Sequence, residues 1–106
     1  MITVTLFKQN GSVVKIRACG HSGLGEHGQD VLCAAVSALV QTAYLAIVDI
    51  AGDTEYRRDG KTGLFEFDIP SAPEKRHDID VIIHAMCVGL RDITSGYPQN
   101  LKLEEA

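Results

Sequence analysis

A chain of 106 residues, 45% hydrophobic and 23% charged, is long enough for one core that buries about two-thirds of its unfolded surface. A single domain over residues 1–106 is expected. Ten Lys and Arg against fourteen acids give a formal charge of −4, which argues against direct nucleic-acid binding and favours a cationic partner. Cys19, Cys33 and Cys87 are odd in number and irregular in spacing, so they read as free thiols of a reducing, cytoplasmic compartment rather than a disulfide framework.

The opening MITVTLFKQN has no basic segment ahead of an apolar block, unlike a secretion signal. Ile2, Val4 and Leu6 alternate with polar residues, and after the turn pair Asn10-Gly11 so do Val14, Ile16 and Ala18, the pattern of a β-hairpin. Residues 31–48 are apolar, rich in Ala and free of Gly and Pro, which predicts a helix stopped by Gly52. A membrane span is the competing reading; Ser37, Gln41, Thr42 and Tyr44 interrupt it and no basic flank anchors it. A second hairpin is expected over 54–59 and 64–69 around "DGKTG", with Phe65, Phe67 and Ile69 on one face.

The stretch "SAPE" has the capping-box form and predicts a second helix from near Ser71 or a few residues later. Ile79, Ile82, Ile83, Met86, Leu90 and Ile93 form its apolar stripe, and Gly96 and Pro98 end it. A short strand in "NLKLE" completes the order ββαββαβ. The fold class is α/β of the α+β type: one two-layer domain, with an antiparallel or mixed five-stranded sheet and two helices packed on one face.

Asp30, Cys33, Ser37, Gln41 and Tyr44 recur at i, i+3, i+7, i+11 and i+14, one line along the first helix. With Asp30 as N-cap, Cys33 occupies the first turn, where unpaired N–H groups and the helix dipole favour a thiolate nucleophile. His21 ends the second strand, and Gly20, Gly23, Gly25 and Gly28 make the connector pliable enough to bring the imidazole back to the sulfur. A Cys with a nearby base performs acyl transfer, and the N–H groups of Leu32, Cys33 or Ala34 are candidate oxyanion donors. Taken singly, Cys33 also suits core packing and Ser37 a bond to its own helix. Asp30 serves either as cap or as orienter of His21.

Gly23, Gly25 and Gly28 spell a dinucleotide fingerprint, but the hairpin order lacks the parallel βαβ unit that the fingerprint requires. Cys19, His21, His27 and Cys33 are acceptable zinc ligands with irregular spacing, so no metal and no cofactor is expected. His77 and His84 read as surface residues, and Cys87 as packing.

The segment "GHSGLGEHGQDVLCAAVSA" resembles the signature of the bacterial ribosomal-processing cysteine proteases, in which G-H precedes a glycine loop and a D-x-x-C-A-x-x-S helix start. The likeness extends to "MITV", the element order and "N-L-K-L". It implies an endopeptidase that removes the N-terminal extension of a large-subunit ribosomal protein, the twenty-seventh of the L series. His21 and Cys33 match the catalytic pair, Asp30 and Ser37 an orienting or capping group and a cleft residue, and the loop glycines a gate over bound peptide. The implied partners are the basic N-terminal segment of that precursor and a second copy of the chain, with neither membrane nor nucleic acid. The alternative is a non-catalytic ribosome-assembly or peptide-binding module whose glycine loop wraps its partner.

Overall fold

Asn10 and Gly11 take φ values of 54° and 81°, the backbone that lets a tight turn match the twist of a hairpin. They join β1 (Ile2–Gln9) antiparallel to β2 (Ser12–Cys19). The computed structural model describes residues 1–23 and 30–106. The register of this hairpin shifts between Phe7 and Lys8, and an inserted residue reverses which side chains face inward. Val13 is therefore buried and Val14 exposed, the reverse of what simple alternation predicts.

After β2 come α1 (Val31–Ala51), β3 (Tyr56–Asp59), β4 (Leu64–Asp68), a 3-10 turn over Pro73–Lys75, α2 (Arg76–Gly96) and β5 (Leu101–Glu105). The strands lie in the order β3-β4-β2-β1-β5. β5 runs parallel to β1 and the other pairs are antiparallel, so the sheet is mixed. Both helices cover one face. Val4, Ile16, Phe67 and Leu101 of the sheet meet Val40 and Ile47 of α1 and Ile79 and Leu90 of α2 in one core.

Gly52 ends α1 with φ 99°, its N–H bonded to the Val48 carbonyl. Ser71 does not cap α2. Ala72 precedes Pro73, which restrains it to non-helical backbone; it has φ −142° and ψ 79°, and no side chain caps the turn that follows. The helix proper starts at Arg76. By length and apolar content α1 is also able to cross a bilayer, but here Leu32, Val36, Val40, Ala43 and Ile47 carry it onto the sheet. Val31 and Leu45 on its outer side stay 81% and 63% exposed.

The opposite sheet face is ionic. Glu66 is buried at 6% exposure yet accepts from Arg17 at 3.0 Å and Arg57 at 2.7 Å, while Lys15 and Arg17 lie over the Phe7 ring. Burial raises the Glu66 carboxyl, but the two guanidinium groups outweigh it and the net direction is down.

Candidate active site

The first turn of α1, the end of β2 and the β3–β4 hairpin enclose a cleft of about 530 Å³. His21, Asp30, Cys33, Ser37 and Gln41 line it together with Arg58, Leu64 and Phe65. Four members of the polar line on α1 thus share this cleft. Tyr44, its last member, instead packs edge-on against Phe65, Phe67 and Tyr56.

Asp30 organises the helix end. Its Oδ1 accepts from the Cys33 N–H at 3.0 Å, its Oδ2 from the Ser22 hydroxyl and from Cys33 Sγ at 3.2 Å, and its backbone carbonyl from Ala34 N–H. The Ser22 hydroxyl and the Cys33 N–H hold its carboxyl at about 2. It is therefore the N-cap. Two of the three backbone donors expected to face an oxyanion, those of Cys33 and Ala34, are thus already engaged by Asp30.

Burial and this cap together reverse one expectation about Cys33. Burial pushes the thiol above its ordinary value; Ser22 N–H, 3.4 Å from the sulfur, draws it down, and the Asp30 carboxylate raises it again. A negative group takes up the N–H groups that were to favour a thiolate. The resting sulfur is a thiol, and ionising it requires a base.

His21 leaves β2 beside the turn between β3 and β4. Its Nε2 lies 3.3 Å from the Lys61 carbonyl, and Gly20 N–H donates to the Thr62 carbonyl at 2.9 Å. A Cβ on Gly63, at φ 68°, would collide with the Gly20 carbonyl and press on His21 Cε1; one on Gly20, at φ 98°, would collide with the Met1 carbonyl. Only glycine allows these backbones to touch.

Three participants escaped the sequence reading. Ser22, 2% exposed, ties its own segment to both Asp30 and Cys33. Asn100 Nδ2 donates to the Ser22 carbonyl at 2.8 Å. The turn ending at Gly63 buttresses His21. Gly23 has φ 80°; Gly25, His27 and Gly28, and with them most of the expected gate and one zinc ligand, lie outside the described residues. Among the described residues no three His, Cys, Asp or Glu side chains are grouped to hold a metal. His77 and His84 are exposed, and Cys87 is buried in the core.

A cysteine at a helix N-terminus and an imidazole lining the same open groove, on a two-layer α/β frame, define the class as a thiol hydrolase. The family model for the cysteine protease Prp matches residues 1–102. The ribosomal processing cysteine protease Prp of Bacillus subtilis (strain 168) is 33% identical over 97% of this chain and 96% of its own length. The chain belongs to the Prp family of cysteine proteases. Crystal structures of an essential ribosomal processing protease Prp from Staphylococcus aureus are similar over 100% of both chains, one with a covalently linked product peptide (TM-score 0.85, 27% identity) and one with a substrate peptide (0.82, 26%). This chain is thus a cysteine-type peptidase, which sets aside the non-catalytic module.

Proposed function

We propose that this peptidase matures the ribosome in the bacterial cytoplasm by removing the N-terminal extension of a large-subunit ribosomal protein, the twenty-seventh of the L series. Cys33 is the nucleophile and His21 the base and acid. The observation that carries this reading is that both side chains line one cleft beside the α1 N-terminus. The relatives' names, which specify ribosomal processing, and the peptide in the Staphylococcus aureus structures support the substrate assignment.

His21 takes the proton of the resting Cys33 thiol, and the thiolate formed attacks the scissile carbonyl. The imidazolium then protonates the leaving amine, and water hydrolyses the acyl-enzyme with His21 again as base. Asp30 sets the helix end that carries the sulfur, and Ser37 and Gln41, one and two turns further along the cleft, face the peptide. The net charge of −4 attracts a basic ribosomal-protein terminus. A second copy of the chain covers Val31 and Leu45, the exposed apolar residues of α1.

Incubating the extended ribosomal precursor with purified enzyme and weighing the products tests the reading. Wild type yields one shortened protein; Cys33→Ala and His21→Ala yield none while keeping the wild-type circular dichroism. Near-normal turnover by either variant refutes the pair, and an uncut precursor with the wild type refutes the substrate.

A further inference from the structure

We propose that the β3–β4 turn is the positioning element of the catalytic base, with the Lys61 backbone carbonyl as the acceptor that orients the His21 ring. The inference rests on His21 being that base. A base that must meet a thiol in one geometry needs a third group to hold its ring, and in this cleft Asp30 is engaged elsewhere: Oδ1 with the helix end, Oδ2 with Ser22 and Cys33. The carbonyl of Lys61, forty residues along the chain, lies 3.3 Å from His21 Nε2.

The turn is built against the histidine. Thr62 accepts from Gly20 N–H at 2.9 Å and from Cys19 Sγ at 3.6 Å, while Asp59 Oδ1 accepts from Lys61 N–H at 2.9 Å and fixes the Lys61 peptide. Gly63 packs its bare Cα side against the Gly20 carbonyl and the His21 ring. The same turn therefore grips the backbone before His21 and the ring itself.

The chemistry follows from the acceptor. A carbonyl oxygen only accepts, so the contact requires the proton of the neutral imidazole on Nε2 and makes Nδ1 the basic nitrogen. In the first step the Cys33 S–H bond breaks and an Nδ1–H bond forms; Nε2–H stays on the Lys61 carbonyl and stabilises the imidazolium. Nδ1–H then passes its proton to the leaving amine.

Long-range 1H–15N correlation spectra of histidine-labelled enzyme test this directly, with the His21 signals assigned by their loss in His21→Gln. The expected result is a neutral His21 protonated at Nε2; a predominant Nδ1–H tautomer overturns the inference. Gly63→Ala is expected to lower kcat about tenfold or more through the displaced ring. Gly11→Ala, also at positive φ (81°) but with nothing within 4 Å, keeps kcat within about twofold. Wild-type kcat in Gly63→Ala also overturns the inference. Loss of turnover in His21→Gln beside an Nδ1–H tautomer in the wild type removes the inference and leaves the base in place, whereas retained turnover in His21→Gln removes the base itself.

Discussion

Replacing Asn100 by Ala removes one hydrogen bond to the catalytic segment and little else. Asn100 is anchored by its own backbone, its N–H on the Tyr97 carbonyl at 3.0 Å and its carbonyl on Ile2 N–H at 2.9 Å, so the start of β5 survives the change. What goes is the 2.8 Å bond from Nδ2 to the Ser22 carbonyl, and with it a restraint on the peptide next to His21. A neutral hydrogen bond contributes about 1 kcal/mol net. If that sum holds the segment in register, its loss lowers the aligned population and kcat/KM about fivefold. Asn100→Asp faces a carboxylate against the same carbonyl with no donor between them, so its kcat/KM falls further at neutral pH. Steady-state cleavage of the precursor, with urea unfolding in parallel, separates the outcomes. Wild-type kcat/KM in Asn100→Ala beside reduced stability, or equal activity in Asn100→Asp and wild type, refutes the reasoning.

Asp30→Asn keeps an acceptor for the Cys33 N–H but removes the negative charge 3.2 Å from the sulfur. Iodoacetamide therefore labels Cys33 faster at neutral pH in the variant than in wild type; an equal or slower rate refutes the electrostatic account of the resting thiol. Asp30 is also held at about 2 when folded, below the ordinary 3.8 of an Asp carboxyl. A depressed carboxyl contributes stability that is present above the unfolded value and lost as pH falls through the folded one. Urea midpoints between pH 4 and 2 should thus fall more steeply in wild type than in Asp30→Asn, and parallel slopes exclude that linkage. Phe67, 0% exposed with its ring 5.2 Å from that of Tyr44, is predicted to cost about 3–5 kcal/mol on replacement by Ala. A urea-unfolding loss under about 1.5 kcal/mol would show that the core collapses into the space.

The parts of the fold written in local periodicity were legible in the sequence. Alternation gave both hairpins, and the Asn10-Gly11 pair announced its turn because few other pairs tolerate the required backbone. The line from Asp30 to Gln41 marked one wall of the cleft, since helical spacing puts those residues on one edge whatever the rest of the chain does. Ser71 misled because the capping pattern ignores Pro73, whose ring stiffens the residue before it. Cys33 misled in charge, since its burial, and after that the Asp30 that caps the helix, oppose the ionisation expected of the sulfur. Ser22, Asn100 and the Lys61 carbonyl leave no local signal. They meet across 78 and 40 residues of sequence, and one of them acts through backbone atoms that every residue type possesses.

The ionic side of the sheet has a bearing on the groove behind it. Arg17 belongs to the strand that delivers the imidazole, and Arg57 to the strand that leads into the turn steadying it; Glu66 is the clasp between them. Charge holds that seam together, so acid that neutralises the clasp loosens the mount from the rear. A surface on the far side of the sheet from the cleft thereby becomes part of the alignment of the machine.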